Sequence, residues 1–313
     1  MIFFLIKINQ LKYCLVVLII LSALTNCIGL KNCYAAEPIA KCTVLISLKI
    51  KPYLEAVDGI REAFNDFSDI ETEFFFLEDI IKSRKDEPFS LKGTYQYKSV
   101  IAVGPEAVLF LKSNPPDQSI YKIYTMVSNP SSLLPQQGTS FCGFFLSVNA
   151  RDQIRSITRT FPKIKSVGIL YDEQYNKEYI SRAKLIGLAS GIEIQPLMVS
   201  AKEQVPELLR NNWDKIDGLL LIPDATVISA SLVKYIIKDG ISHNVPVIGY
   251  NNFFIHSGAL MAFVYDYQQI GRTTALFVKE LLLNNGKCQT NASEFHIVVN
   301  SSIEKYLGFK KNE

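Results

Sequence analysis

The stretch that decides the fold is SVGILYDEQYNKEYISRAKLIGLASGIEIQPLM, residues 166–198. Ser166 to Tyr171 is a short apolar run, the length of a buried strand rather than of a helix. A polar turn follows at Asp172 to Asn176, and from Glu178 to Ser190 the apolar residues return at helical spacing. Gly191 then stands where a helix end calls for a left-handed residue, which glycine adopts without steric cost. Ile192 to Met198 is β-rich again. Strand, helix and strand within about thirty residues predict a βαβ unit, with two parallel strands joined by a crossover helix.

The same alternation extends both ways. Downstream come a helix over Lys202 to Trp213, a strand over Ile216 to Ile222, a helix over Ala230 to Lys238 closed by Gly240, and a strand over Val245 to Gly249. Upstream, a helix over Ala150 to Phe161 precedes the unit. Before that lies a first series: strands at Cys42 to Leu48, Glu71 to Leu77, Ser99 to Gly104 and Tyr121 to Val127, with helices at Tyr53 to Asp66 and Glu106 to Ser113. These predict an α/β protein with two open parallel sheets, the first of about four strands. Past Gly249, a strand-like run (Leu260 to Tyr265), a helix (Ile270 to Leu283), a run Phe295 to Asn300 and a helix near Ile303 to Tyr306 are too few for a third domain. The economical arrangement sends them back to the existing lobes. Lobe 1 then takes 37–147 with 264–290, lobe 2 takes 148–263 with 291–313, and several crossings form a hinge between two Rossmann-like halves. Such a pair forms a clamp that closes about a hinge.

Of 313 residues, 48% are hydrophobic and 20% charged, which excludes a disordered or fibrous chain. The 33 basic and 30 acidic residues give +3. Residues 1–36 hold Lys7, Lys12 and Lys31 and no acid, so the remaining body is neutral. A neutral body with no run of Lys/Arg argues against nucleic acid as partner. The basic start followed by the apolar run Tyr13 to Leu24 has signal-peptide anatomy, with cleavage after Ala35 or Ala36. A dozen apolar residues fall short of the roughly 20 that span a bilayer. Leu24-Thr25-Asn26-Cys27 offers a second outcome, a lipoprotein anchored at Cys27. Both point to export.

Cleavage leaves three cysteines, Cys42, Cys142 and Cys288, an odd and widely spaced set that predicts no disulfide framework. His243, His256 and His296 are scattered, so no metal site or cofactor is expected. No G-x-S-x-G, H-E-x-x-H or phosphate-loop string occurs, and no catalytic residue is assigned.

In open parallel sheets, ligands bind beyond the carboxyl ends of the strands. Gly104-Pro105-Glu106 follows one strand and opens a helix, whose free N–H groups suit an anion. Asn176 offers a donor and an acceptor, or a helix cap. Asp224 and Thr226 follow another strand; the carboxylate suits a ligand ammonium, and both residue types also cap helices. Gly249 to Phe254 and Tyr265-Asp266-Tyr267 add aromatic and polar groups that can line a cleft or pack in the core.

Five runs of this chain resemble the substrate-binding proteins of ABC transporters, in the family that includes tryptophan and tyrosine binders. They are IYTMVSNPSSL (123–133), SVGILYDEQYNKEYISRAK (166–184), GLLLIPDATVISASLVKY (218–235), VPVIGYNNFFIHSGALMAFVYDYQQIGRTTALFVKELL (245–282) and IVVNSSIEKYLGF (297–309). The resemblance covers most of residues 41–309. It implies a type I periplasmic-binding-protein fold, a periplasmic location, a monomer, no enzymatic activity, and capture of a small polar or aromatic, amino-acid-like solute for an ABC permease. A sensor that reports ligand to a membrane signalling partner is the alternative. The family's binding loops fall on Gly104, Pro105 and Glu106, on Ser128 and Asn129, on Asn176, on Asp224 and Thr226, and on Tyr265 and Asp266. Amino acid binders of the family often carry Thr-Pro-Ala where this chain has Gly104-Pro105-Glu106. Glu106 would repel a ligand carboxylate there.

Overall fold

The computed structural model describes residues 40–83, 97–134, 141–227, 229–284 and 286–312. The apolar run Tyr13 to Leu24, the cleavage positions and Cys27 lie outside them. No helix among the described residues is long and apolar enough to cross a membrane.

The first sheet has six parallel strands: β1 (Ala40–Ile46), β2 (Ile70–Phe76), β3 (Tyr97–Val103), β4 (Tyr121–Val127), β5 (Phe141–Phe145) and, from far along the chain, β11 (Thr290–Ala292). Their order is β11-β5-β4-β3-β1-β2. The sequence reading found four of these. It missed β5 and β11, because Phe141–Phe145 is interrupted by Gly143 and Thr290–Ala292 holds one apolar residue. The second sheet also has six: β6 (Ser166–Tyr171), β7 (Glu193–Met198), β8 (Gly218–Leu221), β9 (Val247–Gly249), β10 (Met261–Val264) and β12 (His296–Val299). The order is β12-β10-β9-β8-β6-β7, with β12 antiparallel to β10 and all other pairs parallel. The central strands are buried at all but one residue or at every residue, as parallel strands covered on both faces must be.

Helices α1 (Lys51–Asn65), α2 (Leu77–Ser83), α3 (Pro105–Ser113), α4 (Pro130–Leu133) and α10 (Tyr267–Leu283) serve the first lobe. The second has α5 (Ala150–Thr160), α6 (Glu173–Ser190), α7 (Val205–Arg210), α8 (Ala230–Ser242), α9 (Asn252–His256) and α11 (Ser301–Tyr306). The helix expected over Lys202 to Trp213 is instead two 3₁₀ turns flanking the short α7. Gly191 ends α6 at φ 68°, as expected. Gly240 does not end α8: it lies inside that helix, where a Cβ would come 2.7 Å from the Val245 carbonyl, and Asn244 takes the left-handed turn at φ 59°. Its role is close packing.

Each sheet is covered by two apolar clusters, one per face. On the first lobe, α1 and α10 touch backbone to backbone. A Cβ on Gly59 would sit 1.9 Å from the Gln268 carbonyl, and one on Gly271 would sit 1.9 Å from that of Ala56. Gln268 and Arg272 of α10 both bond Glu62 of α1 beside this contact.

The chain passes between the sheets three times: Phe145 to Ala150, Val264 to Tyr267, and Ala292 to His296. Ser293 N donates to Phe145 O at 2.8 Å, tying the third crossing to the first. Val148 and Phe295 pack against cores of both lobes. A disulfide joins Cys142 of β5 to Cys288, just before β11. This corrects the expectation from parity and spacing: the fold brings together two cysteines 146 residues apart, and the odd one, Cys42, is fully buried in the first core. Burial pushes the Cys42 thiol up to about 12, so it stays a neutral apolar group.

Candidate functional site

All strands of the first sheet run parallel, so the residues after β1, β3 and β4 share one edge. Five of the six strands in the second sheet do likewise. This is why short polar loops far apart in sequence gather there.

On the first lobe, Gly104 follows β3 at φ 92°, a conformation open to glycine. A Cβ there would meet Ser47 Oγ at 2.6 Å and the Tyr53 ring at 2.7 Å. Ser47, the residue after β1, is buried, and its hydroxyl accepts from Ala107 N at 2.9 Å, capping the start of α3 in place of Gly104. Pro105 holds the first helical position, where its missing N–H costs nothing. Glu106 is exposed, without a hydrogen bond or ion pair among the described residues. The Tyr53 hydroxyl is pushed up to about 12, first by burial and then by the Glu106 charge. Ser128 and Asn129, after β4, are exposed. Asn129 Oδ1 accepts from Ser131 Oγ at 2.7 Å within its own turn.

On the second lobe, Asp224 is 2% exposed. Its carboxylate accepts from Asp172 N at 2.7 Å, Asn176 Nδ2 at 2.8 Å and Thr226 N at 2.9 Å. Thr226 Oγ1 donates to Asp172 Oδ2 at 2.6 Å. The loops after β6 and β8 are thus sewn into one net. The Thr226 hydroxyl, and then the Gln174 N–H, hold the Asp172 carboxyl below its ordinary range. The residue capping α6 is Asp172, not Asn176. Asn176 lies inside that helix at φ −128° and ψ 15°, a break that lets its amide reach Asp224 and the Pro223 carbonyl. Tyr250, after β9, has its hydroxyl pushed up to about 12 by burial and then by the Asp224 charge.

Tyr265 sits at the second crossing, 9% exposed, with its ring in the first lobe's core. Its hydroxyl has no hydrogen-bond partner among the described residues, and burial raises its pKa above the ordinary tyrosine value. The next residue, Asp266, caps α10 through Gln269 N at 2.9 Å.

The structure therefore brings Gly104, Pro105 and Glu106 together, and Asn176, Asp224 and Thr226 together. Ser128 and Asn129 stand on their own turn, and Tyr265 and Asp266 stand on a crossing. The sequence reading overlooked Ser47 and Tyr53, and it named Asp172 and Tyr250 only as parts of loops. A polar residue directly after a strand end was the available signal. Two recesses lie elsewhere. One of about 400 Å³ is lined by Trp213, Asp217, His243 and Phe309 at the opposite end of the second sheet; one of about 270 Å³ lies beside Glu62 and Gln268. No group of metal-ligating side chains occurs among the described residues.

Residues 134–313 match the family model described as ABC transporter substrate binding protein. No curated protein sequence matches the chain. Among solved structures, a ligand-free, open substrate-binding protein with adhesive properties from Clostridium difficile is 18% identical. It covers 88% of this chain and 97% of its own, at a TM-score of 0.70. The ABC domain in complex with L-Trp from Streptococcus pneumonia is 17% identical, over 88% and 96%, at 0.59. A periplasmic ribose ABC transporter protein from Conexibacter woesei is 9% identical, over 87% and 95%, at 0.58. At these identities the likeness is one of fold, the two-lobed α/β fold of periplasmic binding proteins.

Proposed function

The chain belongs to the ABC transporter substrate-binding protein family, whose members bind solutes and are not enzymes, and from that premise we propose that it captures a small polar or aromatic, amino-acid-like solute between its lobes. The lobes, 37–147 with 264–290 and 148–263 with 291–313, close about the three crossings, which lie at these boundaries or within about two residues of them. The solute contacts both lobes only in the closed form, so its differential affinity draws the population toward closure. The protein works in the periplasm and hands its solute to an ABC permease.

The observation that carries this reading is that one chain carries two differently furnished loop sets, each beyond the carboxyl ends of the strands of its own sheet. Glu106, with Ser47 and Tyr53 behind it, stands on the first lobe, and the Asp224 net with Tyr250 stands on the second. Glu106 is a carboxylate without a partner, so it meets the donor or cationic end of a solute. Asp224 already accepts three hydrogen bonds and acts by fixing where Asn176 and Asp172 stand. Tyr265, with an unused hydroxyl at a crossing, is the group that changes surroundings when the lobes move.

A thermal-shift screen of the chain from residue 37 against amino acids, amines, nucleosides, sugars and organic acids tests this. Binding to the native state alone stabilises by about RT ln(1 + [L]/Kd), about 2.7 kcal/mol at a hundredfold excess over Kd. A hit confined to one chemical class, with a smaller radius of gyration when it is bound, is expected. Saturating binding at an unchanged radius would rule out closure.

A further inference from the structure

The chain's charge is not evenly spread. Ile154 and Ile157 of α5, Ile180 and Ala183 of α6, and Ile303 and Phe309 from the C-terminal segment pack into one cluster on the second sheet, so α5, α6 and α11 form one helical layer. On its outer side Arg151, Arg155 and Arg159 fall at four-residue intervals along α5 and are exposed. That interval lines side chains up in one row, where like charges repel and weaken the helix. The fold does not need this row. Exposed Lys163 extends it, and the chain end brings Lys310 and Lys311 alongside: Asn312 N donates to Thr160 O at 2.9 Å, and the Phe309 ring meets that of Phe161 edge to face at 6.0 Å.

None of these six cations has an ion pair among the described residues, because the layer's acids are engaged elsewhere. Asp152 bonds Asn149, Glu173 pairs with Lys177, Glu178 pairs with Arg182, and Glu304 accepts from Lys311 N. Residues 150–190 and 301–312 carry eleven Lys and Arg against five Asp and Glu, in a chain with 33 against 30. The same layer displays the three most exposed large apolar side chains among the described residues: Leu188 at 84% and Leu185 at 71% on α6, and Tyr306 at 73% on α11.

We propose that this layer is the face by which the second lobe lies on an anionic phospholipid surface. A row of unpaired, long cationic side chains matches a plane of phosphate headgroups. Leucines and a tyrosine beside the cations are the groups that enter the headgroup boundary, as on interfacial helices. A polyanion without an apolar phase would leave those side chains in water. The inference stands on this face alone and does not depend on which solute the cleft holds.

The test uses the full chain with phosphatidylcholine vesicles, with and without phosphatidylglycerol, and compares it with a variant of the same length, so that binding through any other segment is common to both proteins. Partitioning is expected to rise at least about tenfold with the anionic lipid and to fall with added salt. The triple variant R151Q/R155Q/R159Q loses that preference while keeping its thermal midpoint, since the three side chains are exposed and unpaired. In Leu188→Trp, fluorescence at that position is quenched by brominated acyl chains in anionic vesicles. Equal partitioning onto both vesicles, a triple variant that keeps the preference, or an unquenched Leu188→Trp on vesicles that hold the protein would each overturn it.

Discussion

In the second lobe the loops at the strand ends are joined by side chains: one buried carboxylate, Asp224, gathers three donors from two loops. In the first lobe the corresponding loops are joined by close fit and a single hydroxyl, Ser47 Oγ, which accepts from Ala107 N. Gly104 lies against Ser47 and Tyr53 with no room for a methyl group, and the nearby carboxylate, Glu106, stays unsatisfied. The first lobe also carries the disulfide, between β5 and the approach to β11, while no cysteine lies in the second. One lobe thus has a pre-set polar wall on a disulfide-free frame, and the other a stapled frame with a free charge. The difference indicates which substitutions should act on stability and which on affinity.

The largest effect that would separate the lobes comes from the staple. Replacing Cys142 and Cys288 by serine is expected to cost about 2–5 kcal/mol. Chemical unfolding followed by hydrogen exchange should show the loss in β4, β5 and α10 and not in β6 to β9. A uniform loss across both sheets would mean that the lobes unfold as one. Next is Asp224→Ala, which strands three donors and is expected to cost about 2–3 kcal/mol of stability and more than about tenfold in solute affinity. If affinity survives while stability falls, the net only shapes its own lobe.

Glu106→Gln, by contrast, is expected to leave the unfolding midpoint unchanged and to weaken a cationic solute by about tenfold, read by titration calorimetry. An equal loss for a neutral solute would deny Glu106 a charge role. The smallest effect is a pH dependence. Asp172 is held below its ordinary range by Thr226, so its contribution is present above the unfolded value of about 3.9 and is lost as pH falls through the lower folded value. In Thr226→Val the acid limb of the stability curve is expected to shift to higher pH; an unmoved limb would mean that the hydroxyl contributes nothing to Asp172.

The contrast also explains what could be read from sequence. The second sheet's six strands were legible because SVGILY, IDGLLLI and their neighbours are unbroken apolar runs between glycines and polar turns. β5 and β11 were not, since they are held by pairing and by a disulfide across 146 residues, a relation that local pattern does not carry. The site divided in the same way. Glu106, Asn176, Asp224 and Thr226 could be named from their places after strands. That Asp172 rather than Asn176 caps α6, and that Ser47 rather than Gly104 caps α3, depends on distances between loops. The row of arginines was in plain view, but four-residue spacing acquires a meaning only once Ile154 and Ile157 fix which side of α5 faces outward.

The three crossings have a further consequence for how the protein is made. Four strands of the second sheet, β6 to β9, lie within residues 166–249, so that lobe can assemble soon after they leave the ribosome. The first lobe begins earlier and stays open across the synthesis of those strands: α1 waits for α10, whose backbone it touches through Gly59 and Gly271, and β5 waits for β11, while β12 and α11 complete the second lobe last. Until residue 292 emerges, the edge of β5 and the glycine face of α1 stay uncovered. The half that is synthesised first is therefore the half most exposed to misassociation, and a nascent chain would need protection there longest.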